Sequence, residues 1–459
     1  MFNPAQFYEA GRLKLRPTVI EIDTRKVLSG SDKEITIAYT TNFFGSIDWD
    51  DGVVEYYNNS SPVLINHIYA IAGKYDIKVK ISQGYFFNLQ INNFSHRNKF
   101  LKIKDFGSSF KIVDYAFYGA TNLDLSSSLG VPKIESGILA FQNCTSLTTI
   151  NNFEKWDFSN ITSANFMFAG CINFNPPNFN LNLTNALSIQ TMLDGCTKFN
   201  PVEFSLNIPN VTGAIALLRN CKAFKPSVFN LILPKATQIG QLLSGCTAFN
   251  PTSFYLDSPL STDGAGALGG CTSFSPTTSF TLKLDSSVDM NGFLGSVPAS
   301  FSPENFYVSA INATSINGFN YKPLFNPLSF FLNIPKVTSF QIMFDASTAF
   351  NPTTFFYINT AGATTMLAML RGCTAFNQNA GIFNISNVTN MGQFMSGKTP
   401  STLSPSTLDA ILIGWAGQSV KPNQAPNFGT AKRTSASNAA YAILTSSPNN
   451  WTITHGGLI

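Results

Sequence analysis

Residues 245–257 read GCTAFNPTSFYLD, and this pattern returns along the chain about every 25 residues. All seven cysteines of the chain occupy its second place: Cys144, Cys171, Cys196, Cys221, Cys246, Cys271 and Cys373. The aromatic residue three places later recurs at steps of 24 to 27 residues, at Phe174, Phe199, Phe224, Phe249, Phe274, Phe301, Phe325, Phe350 and Phe376. Such self-similarity is typical of stacked units that bury their apolar faces against each other. The sequence therefore predicts a β-rich solenoid of about eleven coils, each of ~25 residues.

One strand is predicted in each coil. Phe204, Leu206 and Ile208 alternate with polar residues, and one repeat later the same places hold Phe229, Leu231 and Leu233. Because alternate side chains of a strand point to opposite faces, these apolar residues are expected to point inward. The glycines directly before a cysteine predict positive φ, at Gly170, Gly195, Gly245, Gly270 and Gly372. The Asn-Pro pairs at 175, 200, 250, 326 and 351 are typical of chain reversals in which Asn bonds neighbouring backbone.

The cysteine column is interpreted as structural. Equivalent positions on successive coils form a line, whereas a tetrahedral metal site needs clustered ligand pairs. Buried cysteine behaves as a small apolar residue, and Ser347 takes the same place in another coil. No metal, cofactor or catalytic residue is expected.

Composition narrows the classes of function. Charged residues make up 12% of the chain and the net charge is +4, so no basic stripe for nucleic acid is predicted. No run of about 18 apolar residues exists, so no membrane insertion is expected. Only three histidines are present, and GxSxG, HExxH and P-loop motifs are missing, which favours a protein that is not an enzyme.

The amino-terminal part predicts two further segments. Residues 1–17 lack the apolar stretch and cleavage site of a secretory signal and are interpreted as an attachment segment. Residues 18–88 predict a small β-sandwich, with strands around 18–22, 34–39, 45–49, 63–70 and 75–81.

Three short motifs in residues 18–88 carry a resemblance. Asp48-Trp49-Asp50-Asp51-Gly52, His67-Ile68-Tyr69 and Gly73-Lys74-Tyr75 follow each other there. They resemble the polycystic-kidney-disease (PKD) type of immunoglobulin-like domain, which has a W-x-D-G turn followed by H-x-Y and G-x-Y. The resemblance implies a spacer or adhesion module. Whether the acidic turn at 48–51 binds calcium or is a solvated turn stays open at this point.

The solenoid carries a second resemblance. Residues 140–150, AFQNCTSLTTI, fit A-F-x-x-C-x-x-L-x-x-I of the BspA-type leucine-rich repeat, and the stretches 156–171 and 385–391 are similar to its W-D-x-S-N-V-T-x-M variant. The resemblance implies binding or adhesion over a solenoid placed at 89–400.

The last predicted segment is an α/β cap at 401–459. It is expected to hold helices at 406–415 and 435–445 and a strand at 451–454. LDAILIGWA (408–416) and NWTITHGG (450–457) resemble the closing segment of BspA-type proteins, including copies in bacteriophage genomes.

A contact surface is predicted on the outward strand positions, where aromatic and amide side chains alternate with small polar ones. Its candidate residues are Tyr255, Tyr307, Phe331, Phe356, Asn180, Asn230 and Asn333. The alternative is that a neighbouring segment or subunit covers Phe331 and Phe356.

The leading hypothesis is a structural or adhesion protein of a bacteriophage virion: a head or tail fibre, a spike or a decoration protein on the exterior surface. Its N-terminal region would bind other virion proteins, and its solenoid a host surface protein or glycan. The missing export signal favours this hypothesis, because virions leave the cell by lysis. A bacterial cell-surface adhesin is the first alternative and a polysaccharide-cleaving solenoid enzyme the second. Homo-oligomer formation stays open.

Overall fold

Short strands, one to a coil in most coils, form the sheets of the solenoid. The computed structural model describes residues 15–27, 30–39, 43–59, 63–90, 96–264, 266–290, 297–317 and 319–459. It is a β-solenoid of about ten turns, with about 8% of the residues in helices. The chain forms two compact units, Met1–Phe224 and Lys225–Ile459, which are described in turn. Most of the predicted attachment segment, residues 1–14, lies outside the described residues.

The first unit contains twelve strands within its described residues. They are β1 Thr18–Asp23, β2 Glu34–Tyr39, β3 Phe43–Asp48, β4 Val54–Asn59, β5 Val63–Ile68, β6 Lys74–Ile81, β7 Phe87–Asn88, β8 Phe100–Asp105, β9 Phe110–Ile112, β10 Lys133–Ile134, β11 Asn178–Asn182 and β12 Glu203–Asn207.

Antiparallel pairing dominates the amino-terminal part of this unit. Its sheets run β4-β3-β6-β1-β8 and β2-β5. All five strands predicted for residues 18–88 are present, whereas β4 was not predicted. Strand β8 completes the larger sheet, which therefore extends past residue 88, where the sequence analysis placed a domain boundary.

The strands in the rest of the first unit pair in parallel. Strands β7, β9 and β10 form one parallel sheet, and β11 pairs in register with β12. Phe179 and Leu181 are buried in β11 while Asn180 and Asn182 are exposed, so the predicted alternation holds in this strand.

The second unit contains eight strands and two α-helices within its described residues. They are β13 Val228–Ile232, β14 Ser253–Asp257, β15 Ser279–Lys283, β16 Asp289–Met290, β17 Asn305–Ser309, β18 Ser315–Ile316, β19 Ser329–Asn333, β20 Phe355–Asn359, α1 Pro405–Ala416 and α2 Asn438–Thr445. A six-stranded parallel sheet runs β13-β14-β15-β17-β19-β20. Its strands pair in register, so equivalent residues of successive coils lie over one another.

Two columns of phenylalanine rings fill the core behind this sheet. One column comes from the strands, as in the stacking of Phe280 on Phe306 at 5.2 Å between ring centroids. The other comes from the repeat phenylalanines, as in Phe325 on Phe350 at 5.6 Å. Rings of the two columns meet edge to face, a favoured arrangement of aromatic pairs. The periodic Phe residues therefore form the dry interior that their spacing predicted.

The return stretch of each coil is a run of turns. In the first unit the backbone N–H groups of Phe166, Phe168 and Gly170 donate to the next coil, at 2.8 to 3.0 Å. The residues between them donate to carbonyls within their own coil. This alternation satisfies the backbone without a helix, and it places left-handed residues at the predicted glycines: Gly170, Gly195, Gly245, Gly270 and Gly372 all have φ between 71° and 77°.

Asparagine side chains join the coils at the Asn-Pro corners. The Asn250 side-chain oxygen accepts a hydrogen bond from the Ser275 backbone N–H at 2.7 Å, and Asn326 accepts from that of Asn351 at 2.9 Å. The Asn of each of these pairs therefore bonds the backbone of the next coil.

The carboxyl-terminal residues contain both predicted helices. Helix α1 begins after Ser404, whose hydroxyl accepts from the Thr407 N–H at 3.1 Å, and Trp415 packs its ring 5.4 Å from that of Phe394. The strand predicted at 451–454 is wrong: Thr454 forms a single β-bridge with Asn427. Among the described residues, no helix has the length and apolar character needed to cross a membrane.

Candidate contact surface

The outward residues of the six-stranded sheet form three parallel columns. We call the outward positions of β13, β14, β15, β17, β19 and β20 the outer face. Its middle column consists of Asn230, Tyr255, Thr281, Tyr307, Phe331 and Tyr357. One side column consists of Ile232, Asp257, Lys283, Ser309, Asn333 and Asn359, and the other of Val228, Ser253, Ser279, Asn305, Ser329 and Phe355. The middle column is aromatic at four of its six places. Because the strands stack in register, these aromatic side chains lie in one line.

One predicted member of the contact surface is wrong. Phe356 pairs with the inward Phe330, and its ring packs 5.4 Å from that of Phe376 in the core. Tyr357 takes the outward place instead, opposite Phe331. The reason is an extra residue between Pro352 and the strand, which shifts the alternation of β20 by one relative to the preceding coil.

Three middle-column rings lie on top of one another. Tyr307 stacks on Phe331 at 4.5 Å with 5° between the ring planes, and Phe331 stacks on Tyr357 at 5.1 Å with 20°. We call these three residues the aromatic stack. Phe355 lies beside it, 6.5 Å from Phe331, and is 50% exposed. Together the four rings form an apolar ridge on the outer face.

Three polar groups meet beside the stack. The Tyr255 hydroxyl donates to Asp257 at 2.9 Å, and the Lys283 ammonium lies 3.0 Å from that hydroxyl and 3.3 Å from the carboxylate. Hydrogen bonding to Tyr255, followed by the bond to Asp257, raises the pKa of Lys283 to about 12. The ammonium also lies 5.3 Å from the centre of the Tyr255 ring. We call Tyr255, Asp257 and Lys283 the polar corner.

The predicted asparagines fall on two different sheets. Asn230 and Asn333 lie on the outer face, where Asn333 accepts a hydrogen bond from Asn359 at 2.9 Å. Asn180 lies on β11 in the first unit and accepts from the Ser205 hydroxyl at 2.8 Å. The structure therefore brings Tyr255, Tyr307, Phe331, Asn230 and Asn333 onto one surface, and Asn180 onto another sheet.

The cysteine column is buried throughout, with every thiol at most 1% exposed. Cys171 donates to the Phe141 carbonyl of the preceding coil at 2.9 Å, and Cys373 donates likewise to Phe344 at 2.9 Å. Ser347 makes the equivalent bond to Phe319 at 2.8 Å, which explains why serine fits this place. Burial raises the pKa of the Cys373 thiol to about 12, so it stays protonated and able to donate at neutral pH.

The acidic turn is held by internal hydrogen bonds. Asp48 and Asp51 accept from backbone N–H groups within the turn, and Asp50 accepts from the Asp76 N–H at 2.9 Å. Asp51 also bonds His67 Nε2 at 2.8 Å, while the His67 ring stacks on Trp49 at 4.5 Å. Among the described residues no three His, Cys, Asp or Glu side chains are grouped as a metal site would need.

Sequence reasoning missed two aromatic members of the surface, Tyr357 and Phe355. The 26-residue step from Phe350 to Phe376, against 25 residues from Phe325 to Phe350, shows that this coil contains an extra residue but does not show where in the coil it lies. The pairing of Lys283 with Asp257 left no sequence signal, since the two residues are 26 positions apart and unlike in type.

The fold and this surface define a repeat protein of the β-solenoid class. Residues 138–254 and 302–405 match the model of a family described as "Mycoplasma protein of unknown function, DUF285". These stretches cover just under half of the chain. The match and the stacked coils together fit the predicted BspA-like repeat protein. Comparisons with curated proteins and with solved structures gave no match.

Proposed function

We propose that this chain is a contact protein without catalytic chemistry, which binds a partner through the outer face of its second unit. The observation that carries the proposal is the aromatic stack with the half-exposed Phe355, which groups four aromatic rings on the outer face. Exposed apolar patches rimmed by polar groups are typical of binding surfaces. Aromatic side chains contribute much apolar area with few rotatable bonds, which lowers the entropic cost of binding.

The polysaccharide-cleaving alternative receives little support from this face. Glycoside hydrolysis generally uses a pair of carboxyl groups flanking the bond to be broken. The outward positions of the six strands include a single carboxylate, that of Asp257, which is bonded to Tyr255 and Lys283. Binding therefore explains this surface better than cleavage does.

The setting we propose is the exterior of a bacteriophage particle, in a fibre, spike or decoration protein. The resemblance of residues 408–416 and 450–457 to closing segments that also occur in phage genomes supports this setting. Residues 401–459 would cap the solenoid, which the packing of the Trp415 ring 5.4 Å from that of Phe394 supports. A bacterial cell-surface adhesin is the alternative, which the resemblance to BspA-type repeats favours.

The N-terminal region would serve as the attachment to the particle. The residues that carry the PKD resemblance cluster in space: His67 packs between Trp49 and Tyr69, and Tyr69 stacks on Tyr75 at 3.7 Å. This cluster supports a small β-sandwich of the PKD type in residues 18–88. Other virion proteins would bind there and leave the outer face free for the host surface. Self-association of the chain is not required.

The test compares binding by two surface variants of the full chain. Fluorescently labelled protein is added to a panel of bacterial cells, and bound protein is measured by flow cytometry. We expect Phe331→Ser combined with Phe355→Ser to reduce binding at least tenfold. The matched control is Ile232→Ser, because Ile232 is also an exposed apolar residue of the outer face, at 51%, but lies away from the stack. Equal binding by wild type and the double variant would contradict the proposal.

The setting is tested separately with an antibody against the chain. Detection in purified particles after lysis supports the virion assignment. Detection in the washed cell envelope of uninfected bacteria supports the adhesin. Polysaccharide shortened by the protein would support the enzyme alternative.

A further inference from the structure

The outer face contains a notch between two aromatic residues. Tyr255, Thr281 and Tyr307 occupy equivalent places on adjacent strands, so a small side chain separates two large ones. Neighbouring strands lie about 4.8 Å apart, which places the two tyrosine positions roughly 10 Å apart. Thr281 forms the floor of this notch, the Tyr307 ring forms one wall and the polar corner forms the other.

The Tyr307 wall is an end ring of the aromatic stack, on the side of Thr281. One face of its ring is covered by Phe331 at 4.5 Å. The opposite face is on the side of Thr281, whose side chain is too short to cover it. Within the described part of the chain the Tyr307 hydroxyl has no hydrogen-bond partner, and Tyr307 is half-buried. The inner ring of the stack, Phe331, is covered on both faces, whereas Tyr307 is covered by the stack on one face alone.

The opposite wall supplies hydrogen-bonding groups at fixed positions. Asp257, Lys283 and the Tyr255 hydroxyl are held by bonds of 2.9 to 3.3 Å to one another. A carboxylate accepts, an ammonium donates and a hydroxyl does both. An apolar platform opposite a few convergent polar groups is the usual composition of a small-molecule subsite.

The charge of the face argues for an uncharged ligand. Asp257 and Lys283 are the only charged residues at the outward positions of the six strands, and they neutralise each other at 3.3 Å. An acidic polysaccharide or a nucleic acid would meet no uncompensated positive charge on this face. A pyranose ring instead combines an apolar C–H face, which fits an aromatic ring, with hydroxyl groups along its edge.

We propose that the notch over Thr281, between the Tyr307 ring and the polar corner, binds one pyranose unit of a neutral glycan. The sugar ring stacks on the free face of Tyr307, and its hydroxyls bond Asp257, Lys283 and Thr281. The inference rests on the proposed function and specifies its ligand class. A protein ligand is the competing occupant and is one of the outcomes of the test.

The experiment measures binding of the full chain to an array of immobilised oligosaccharides. The array carries neutral glucose, galactose and mannose oligomers together with uronic-acid and sialylated counterparts. We expect the wild type to bind one or more neutral oligomers. Tyr307→Ala is expected to weaken this binding at least tenfold because the platform is removed, and Tyr307→Phe is expected to keep it within threefold.

A second substitution tests the notch without removing the platform. Thr281→Phe should fill the space beside Tyr307 and weaken glycan binding at least tenfold. Val228→Ser changes another exposed apolar residue of the same face, one that pairs with Ser253 and lies away from the polar corner, and this variant should bind as the wild type does. Circular dichroism of each variant checks that the fold is kept.

Several results would overturn the inference. They are binding to acidic glycans alone, no binding to any neutral oligomer, or unchanged binding by both Tyr307→Ala and Thr281→Phe. If cells still bind the chain through Phe331 and Phe355 while no neutral glycan does, the proposed function survives and the glycan subsite fails. Loss of cell binding after protease treatment of the cells would then identify a protein ligand.

Discussion

Two adjacent phenylalanines in β19 test the alternation on which the contact surface depends. Phe330 is fully buried and contacts six other rings, those of Phe306, Phe319, Phe325, Phe344, Phe350 and Phe356. Phe331 is half-buried, and within the described part of the chain its ring packs against three others, the outward rings of Tyr307, Phe355 and Tyr357. The same substitution at the two positions should therefore have very different costs.

The magnitudes follow from burial. Truncating a fully buried phenylalanine to alanine costs about 3 to 5 kcal/mol, because apolar contact is lost and a cavity remains. Phe330→Ala should cost about 4 kcal/mol, which lowers Tm by roughly 10 °C in a unit of this size. Phe331→Ala should cost less, about 2 kcal/mol, since part of the apolar burial and the two stacking pairs with Tyr307 and Tyr357 are lost. Replacement by leucine separates ring contact from volume, with about 2 kcal/mol expected for Phe330→Leu and about 1 kcal/mol for Phe331→Leu.

The assay is urea unfolding of the full chain followed by circular dichroism. Amide hydrogen exchange is measured in parallel, because stacked repeats can open locally before the whole array unfolds. We expect Phe330→Ala to increase exchange in residues 305–359 and Phe331→Ala to increase it much less. Equal destabilisation by the two alanine variants, or a larger cost for Phe331, would refute the inward and outward assignment and the contact surface with it.

Three further predictions concern other parts of the fold. Burial lowers the pKa of Lys398 from 10.5 to about 8. Between pH 8 and 10.5 the unfolded chain therefore binds more protons than the folded chain does. The free energy of unfolding should rise by up to about 3 kcal/mol as the pH increases over this range. If the free energies of unfolding of wild type and Lys398→Met, measured with urea, changed equally with pH over this range, the prediction would be contradicted. Ala346 has φ 58° where five other coils hold glycine, so Ala346→Gly should raise Tm and stabilise by about 1 kcal/mol. Gly372→Ala should lower stability by a similar amount, because the added methyl meets nothing closer than 3.5 Å and only backbone strain remains. A lower Tm for Ala346→Gly, or a higher one for Gly372→Ala, would sink this account. Cys221→Arg should destabilise the protein by several kcal/mol in thermal unfolding, because it places a charge at a position with 0% exposure. Cys221→Ser keeps a small hydrogen-bond donor and should cost much less. An unchanged Tm for the arginine variant would disprove the inward assignment of Cys221.

Periodicity predicted the interior of this protein well because the interior is built by repetition. The strand in each later coil, the inward Phe and Leu residues and the positive φ of the glycines before cysteine all follow from spacing. Helix α1 was predicted to within one residue at either end, since Ser404 and Pro405 form a recognisable start.

Features that depend on one coil were not predictable in the same way. Two neighbouring aromatic residues, Phe355 and Phe356, give no sign of which one points inward, and one extra residue in the coil decided it. Strand β4 lies at the edge of its sheet and mixes exposed valine and tyrosine with polar residues, so its sequence lacks a buried face. Thr191 and Ile342 adopt left-handed backbone, with φ of 57° and 51°, although β-branched residues disfavour it. Intercoil hydrogen bonds impose these angles, and composition does not reveal them.

The separation of core and surface is what makes a binding role plausible for a repeat of this kind. Along β13, β14, β15, β17 and β19 the first inward position is phenylalanine every time, while the next, outward position changes from Asn to Tyr, Thr, Tyr and Phe. In-register pairing places each outward residue directly beside its counterparts. Single substitutions can therefore assemble a ridge, a notch or a polar corner without disturbing the ring core. A surface whose residues can change while the inward rings keep the fold stable is suited to recognising a partner. The comparison of Phe330 with Phe331 measures directly whether stability and surface contact are separable.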